Sequence, residues 1–259
     1  MRNVLSIGGS DPTSGAGIQA DLKVFHSIGV YGLSVITAVT SQNTTGVRDV
    51  TPIPPGVVRS QLYTLTEDIP LHAVKTGMLC SSEIVEVVSA FVREQGIRDL
   101  VVDPVHISTS GQMLTDSVAM EKIVSNLLPL SRVVTPNVNE ASYLSGVSIT
   151  DHDSLYRAAR RIRSLGADVV IITGGHYYKE GMEGLSVDYY YDGEELQEIS
   201  SRRYDGEFHG TGCVYSAALT AYLSLSGSVL ESARRARLFM DKAFQSALSP
   251  GRGMAVLGV

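Results

Sequence analysis

The chain has 259 residues, 44% hydrophobic and 19% charged, a balance that suits one α/β domain and excludes a disordered chain. A formal net charge of −6 argues against a nucleic-acid binder, which carries a basic face. Phosphate ligands stay open, because a cation and oriented backbone N–H groups neutralise them locally.

Short β-rich runs alternate with amphipathic stretches, the pattern of a mainly parallel sheet covered on both faces. Residues 3–7 read as the first strand, 8–17 as a glycine-rich loop and 18–27 as a helix with Ile18, Leu22 and Phe25 on one side. A strand is expected over 33–39 and a short extended piece over 47–52. Helices are expected over 57–66 and 82–95, each followed by a strand, 73–76 and 100–103. Residues 132–135 form another strand, ended by Pro136. The helix 154–165 leads into the buried strand 168–173, and the runs 186–191 and 195–200 flank Asp192-Gly193 as a hairpin. The last third reads as helical from 212 to about 248. With no long linker and no internal repeat, residues 1–259 read as a single domain.

Cys80 and Cys213 lie in unlike contexts, so neither a disulfide framework nor a zinc site is expected. No leader pattern is visible in the strand-like start, and apolar runs such as 169–172 are far too short to cross a bilayer. A cytoplasmic location is expected.

Two glycine clusters carry the chemistry. The first, Gly8-Gly9-Ser10-Asp11-Pro12-Thr13-Ser14-Gly15-Ala16-Gly17, is either a ligand-hugging turn or a tight strand-to-helix connection. It is not a dinucleotide fingerprint, and no G-x-x-x-x-G-K-[ST] motif occurs. The second, His209-Gly210-Thr211-Gly212-Cys213, opens a helical run. Free N–H groups and the positive dipole end there suit an anion, while an ordinary cap by Thr211 is the alternative. Cys213 falls in the first turn, where a thiol pKa is expected to be lowered, while a buried, inert cysteine is the commoner alternative.

Gly8-Gly9-Ser10-Asp11-Pro12 with Gly15-Ala16-Gly17-Ile18-Gln19-Ala20-Asp21-Leu22-Lys23 resembles the N-terminal signature of the hydroxymethylpyrimidine/phosphomethylpyrimidine kinases. Thr40-Ser41-Gln42-Asn43-Thr44, Lys75-Thr76-Gly77-Met78-Leu79, Asp103-Pro104-Val105, Thr135-Pro136-Asn137 with Glu140-Ala141, Gly174-Gly175-His176 and the 209–213 block extend the resemblance over nearly the whole chain. It implies a ribokinase-like three-layer α/β/α sandwich with a mainly parallel central sheet. The implied activity is phosphorylation of 4-amino-5-hydroxymethyl-2-methylpyrimidine, and then of its monophosphate, using ATP and Mg²⁺. A homodimer is typical of the family; neither nucleic acid nor membrane is an expected partner.

By the same resemblance, Gln42 hydrogen-bonds the aminopyrimidine ring, with Gly9, Ala16, Asp21, Met78 and Val105 lining the pocket. An amide side chain donates and accepts at once, which suits a ring nitrogen beside an amino group. Met78 as core packing and Gln42 as a loop cap are the alternatives. Gly210, Thr211, Gly212 and Cys213 are expected to carry out phosphoryl transfer. Asn137 and Glu140, spaced three apart as if on one helical face, are expected to organise ATP and Mg²⁺, with Asp103 and Glu140 nearest the metal; a helix cap is the competing reading. Cys213 stands where many superfamily members carry a carboxylate base. A neutral thiol suits a two-step enzyme, because a fixed carboxylate would repel the phosphorylated second substrate.

Three positions depart from the family pattern: Thr173 and Thr109 where lysine is common, and Gly206-Glu207-Phe208 before His209. The loss at 173 weakens the expected ATP grip, and compensation by Lys179, Arg203 or Lys242 is expected. Rival readings are a pyridoxal kinase of the same fold, a non-catalytic pyrimidine-binding homologue and, least supported, a nicotinamide-dependent oxidoreductase.

Overall fold

The computed structural model describes residues 1–108, 111–174 and 184–259. Its centre is one sheet in the order β3-β2-β1-β4-β5-β6-β7-β8-β9. The strands are β1 (Asn3–Ser10), β2 (Tyr31–Asn43), β3 (Gly46–Pro52), β4 (Ala73–Thr76), β5 (Leu100–Val102), β6 (Val133–Val134), β7 (Val169–Thr173), β8 (Leu185–Tyr191) and β9 (Leu196–Arg202). From β2 through β7 neighbours run parallel, while β3 at one edge and β8–β9 at the other are antiparallel.

The helices cover both faces, as right-handed crossovers require. Helices α2 (Pro55–Thr66), α3 (Ser82–Glu94), α4 (Ser117–Lys122), α5 (Val138–Ser145) and α6 (His152–Ser164) cover one; α1 (Gly17–Ile28), α7 (Thr211–Ser226) and α8 (Val229–Gln245) cover the other. Strand alternation sorts the core. In β1, Leu5 and Ile7 face the α2–α6 side and Val4 the α1–α7–α8 side. The three-layer α/β/α architecture expected from the alternating pattern is therefore present.

Several boundaries differ, each for a local reason. Gly8 and Gly9 belong to β1 rather than to a loop, because the strand continues through a register shift between them against β2. The helical last third divides at Gly227, whose φ of 71° ends α7 before Ser228 caps α8. Helix α4, followed by a π turn (Ile123–Leu127) and a 3₁₀ turn (Leu128–Leu130), fills a stretch with no sequence assignment. A two-residue pair, β10 (Phe208–His209) with β11 (Ala255–Val256), brings the C-terminal segment back to the entrance of α7. Among the described residues no helix is long and apolar enough to cross a membrane.

Candidate active site

The start of α7 is bare. Gly210 caps it at φ 81°, and a Cβ there would come within 1.9 Å of the Gly15 carbonyl oxygen, so only glycine fits. The first intrahelical bond is Val214 N–H to Gly210 O at 2.9 Å, which leaves the N–H groups of Thr211, Gly212 and Cys213 without a helical acceptor. Thr211 makes no side-chain cap, and Gly212 is exposed. Three amides at the positive dipole end are therefore not used by the helix.

Beneath this turn lies a buried charge cluster. Lys75 Nζ sits 2.7 and 2.8 Å from the two Asp21 oxygens, and Ser6 Oγ donates to Asp21 Oδ2 at 2.5 Å. Asp21 was expected to line the ligand pocket; it is instead 1% exposed and fully occupied with Lys75 and Ser6. Asp103 Oδ2 lies 2.9 Å from Ser216 Oγ on α7. Burial raises the Asp103 carboxyl above its usual range, opposed by the Lys75 charge and the Ser216 hydroxyl.

Cys213 corrects a second expectation. Its position in the first turn suggests an acidic thiol, but burial pushes it up to about 12, with the nearby Lys75 charge only partly opposing. Negative charge on Asp103 and Asp21 adds to the rise, and the Gly17 N–H bonded to the sulfur works against it. The residue as a whole keeps some exposure, so the direction of the shift rests on the surroundings of the sulfur itself. At neutral pH the group is a thiol.

A small apolar wall lies beside Gly9 at the end of β1. Ala38, Met78 and Cys80 cluster apart from the main core, with Val50, Val105 and Leu114 against them. Gly9 lies so close that a Cβ would come 2.2 Å from Met78 Cε. Gly9, Met78 and Val105 are thus brought together. Gln42 follows a register shift in β2 that breaks the regular pairing with β3. Its carboxamide reaches to 2.9 Å from His209 Nε2 and 3.1 Å from Thr40 Oγ1. Because His209 directly precedes Gly210, Gln42 borders the bare turn. Ala16 caps α1, and its N–H donates to Asp11 Oδ2 at 2.9 Å.

The remaining residues gather at the ends of β5 to β7. Asn137 precedes α5 rather than sharing its face with Glu140, and the two form a capping box. Glu140 N–H donates to Asn137 Oδ1 and Asn137 N–H to Glu140 Oε2, both at 2.9 Å. Burial, then the Asp103 charge, pushes the Glu140 carboxyl up to about 8. Thr173 ends β7 beside Asn137, its N–H donating to Pro136 O at 2.9 Å. Lys242 and Arg203 are exposed, and the Lys242 ammonium makes no hydrogen bond or ion pair among the described residues. Thr109, Ser110, Gly175, His176 and Lys179 lie outside the described residues.

A divalent cation fits this corner in one respect. Asp103 and Glu140 raise each other's energy as anions, and a cation nearby would relieve that repulsion. Among the described residues no cluster of three or more His, Cys, Asp or Glu side chains is arranged to hold a metal. The corner suits Mg²⁺ that keeps water and phosphate ligands and takes one or two carboxylates.

Sequence reasoning gave no role to Lys75, His209, Asp11, Ser216, Asp188 or Arg237. Asp188 on β8 is fully buried, 3.3 Å from both Arg237 Nη1 and the Gly174 N–H, and so anchors the end of β7. Strand-internal Lys75 and Asp188 offered the one available signal, a charge inside an apolar run.

A family model described as phosphomethylpyrimidine kinase matches residues 11–257. A hydroxymethylpyrimidine/phosphomethylpyrimidine kinase of Haemophilus influenzae is 41% identical over 255 residues, covering 98% of this chain and 94% of that protein. The thiamine biosynthesis bifunctional protein of Geobacter sulfurreducens is 41% identical over 252 residues; 97% of this chain aligns, and it spans 51% of that protein's length. The solved pyridoxal kinase from Staphylococcus aureus in complex with AMP-PCP and pyridoxal superposes with a TM-score of 0.91 at 34% identity, covering 100% of this chain and 93% of that one.

Proposed function

This chain belongs to the phosphomethylpyrimidine kinase family, and on that footing we propose that it phosphorylates 4-amino-5-hydroxymethyl-2-methylpyrimidine with ATP, then phosphorylates the product to the diphosphate. It is a phosphotransferase of ribokinase-like fold, and thiamine biosynthesis is the setting of its relatives. The observation that carries the reading is the uncapped start of α7, whose three free amides begin two residues after His209, the residue that contacts Gln42.

Phosphoryl transfer calls mainly for positioning and charge stabilisation. Gln42 reads the ring, while Gly9, Met78 and Val105 hold its flat face and Ala16 closes the side towards α1. The substrate hydroxyl faces the terminal phosphoryl in line, and the N–H groups of Thr211, Gly212 and Cys213 hold the developing negative charge. Lys75 supplies fixed positive charge beneath them, and Asp21 keeps that lysine in place. The neutral Cys213 thiol leaves room for a phosphorylated second substrate without repelling it. Asp103 and Glu140 would hold Mg²⁺, which when bound would neutralise charge on the ATP phosphates. Asn137, Thr173 and Lys242 form the nucleotide side. The chain acts as one kinase unit over 1–259, as a cytoplasmic homodimer, with no nucleic-acid or membrane partner.

Incubation with the aminopyrimidine alcohol and MgATP, with separate detection of mono- and diphosphate, tests this reading. Both products are expected. Turnover of neither substrate would reject it. Cys213→Asp is expected to impair the second step more than the first, and equal loss of both would defeat the role given to the thiol. The full-length likeness to a pyridoxal-bound kinase favours one second reading, vitamin B6 phosphorylation. A parallel assay with pyridoxal separates the two by relative kcat/KM.

A further inference from the structure

His209 joins the two halves of the site. Its Nε2 lies 2.9 Å from the Gln42 carboxamide and 2.9 Å from Asp11 Oδ2. Its Nδ1 is buried with no hydrogen-bond partner among the described residues. Both Asp11 oxygens accept: Oδ1 from the Thr13 N–H at 2.8 Å, Oδ2 from Thr13 Oγ1 and the Ala16 N–H, each at 2.9 Å. Burial alone would raise the Asp11 carboxyl, but the bonds from His209 and Thr13 outweigh it and hold it below its usual value. An ionised carboxylate only accepts, so His209 Nε2 carries the proton between them.

That proton decides the orientation of Gln42. The oxygen and nitrogen of a carboxamide have nearly the same shape, so the neighbours determine which end is which. An Nε2–H cannot accept from an amide NH₂, and it therefore calls for the Gln42 oxygen. At the other end, Thr40 Oγ1 has one hydrogen and lies 3.0 Å from the Ser10 carbonyl oxygen, which only accepts. With that hydrogen spent on Ser10, the threonine lone pairs are left for Gln42, whose oxygen the structure sets at 3.1 Å, and they call for its nitrogen there instead. Both neighbours select the same orientation. The orientation drawn in the structure is the reverse, with the Gln42 nitrogen 2.9 Å from His209 Nε2, and it would set two N–H groups against each other; exchanging the carboxamide oxygen and nitrogen removes that clash.

The fold holds the imidazole ring in place. A Cβ at Gly15 would come within 2.9 Å of His209 Cδ2 and 2.5 Å of Val256 Cγ1, so ring, loop and C-terminal segment are in close contact. His209 pairs with Val256 between β10 and β11, and the Met254 N–H donates to Thr44 O at 2.9 Å, two residues beyond Gln42. One C-terminal segment thus braces both partners.

We infer that His209, oriented by Asp11, is a positioning residue that sets the polarity of the Gln42 carboxamide and so selects rings with a matching order of donor and acceptor. This rests on the reading that Gln42 contacts the ring. Steady-state kinetics on His209→Ala, His209→Gln, Gln42→Ala and the His209→Ala/Gln42→Ala double variant test it in the full chain. His209→Ala is expected to lower kcat/KM for the aminopyrimidine about tenfold, chiefly through KM. The KM for ATP should stay unchanged, and His209→Gln, which can restore an N–H, should recover most of the loss. In the Gln42→Ala background, His209→Ala should add nothing. An equal loss in both backgrounds overturns the inference and leaves the Gln42 contact standing. An unchanged kcat/KM in Gln42→Ala itself removes that contact and the inference with it. Should His209→Ala fail to fold, ¹⁵N NMR of the His209 ring in the wild-type protein decides. Protonated Nε2 with bare Nδ1 supports the inference, and the opposite tautomer overturns it.

Discussion

Helices α5 and α7 both begin beside the candidate site, and their first turns are built in opposite ways. At α5, Asn137 and Glu140 satisfy each other's backbone N–H groups, so two of the free donors are used by the protein itself. At α7, Gly210 offers no side chain, and the amides of the first turn stay without a helical acceptor, near buried Lys75. The same unsatisfied groups exist at every helix start. A cap converts them into stability, whereas a bare glycine turn keeps them for an anion. The first arrangement tolerates any cap-forming pair; the second works only where glycine lets the chain pass Gly15.

Four substitutions or treatments sharpen or break that contrast. Lys75→Ala leaves the Asp21 carboxylate buried and unpaired, and is expected to cost about 3–5 kcal/mol in denaturant unfolding. A loss below about 1 kcal/mol would mean that water or another cation replaces the lysine. The second treatment concerns the thiol under the bare turn. Because burial raises Cys213, its thiolate fraction at pH 8 is smaller than that of an ordinary thiol. Alkylation should then be roughly two to three orders of magnitude slower than for a free cysteine, rising through pH 10 without a plateau. Rapid labelling at pH 7, followed by mass spectrometry, would instead indicate a thiolate stabilised by Lys75 and the helix dipole.

Gly210→Ala tests the turn directly. The substitution drives a methyl into the Gly15 carbonyl and should lower kcat by about a hundredfold or more, as loss of an oxyanion donor does. Thermal unfolding run alongside separates a misaligned turn from a chain that no longer folds. Asn137→Ala is the mildest change. It removes one half of the α5 capping box and should cost about 1 kcal/mol of stability, with kcat reduced far less than in Gly210→Ala. If the two variants lose activity equally, the distinction between a capped and a bare helix start does not describe this site.

Much of the scaffold was legible in the chain. The run Ala73–Thr76 is a strand as expected, because four consecutive buried positions between helical patterns admit little else. The Gly-Thr-Gly turn before an apolar helix was equally plain, since positive φ and free amides follow from glycine and helix geometry alone. Gly9, Met78 and Val105 were grouped through resemblance, and the structure brings them to one apolar wall. The electrostatics were not legible. Asp21 was assigned to the pocket and Cys213 to an acidic thiol, yet both depend on Lys75, more than fifty residues away from either.

Local pattern and spacing, then, determined the alternation of strands and helices and the glycine turns, and the resemblance of whole motifs pointed to the family. Those properties depend on backbone conformation and on the side chains a few positions away. Tertiary contact alone decided which ionisable groups meet, such as Asp103 with Ser216 and His209 with both Asp11 and Gln42. It also decided that the Cys213 thiol is neutral. Charge and proton sharing act across space, and the partners of each group become neighbours only when the sheet is assembled and water is excluded.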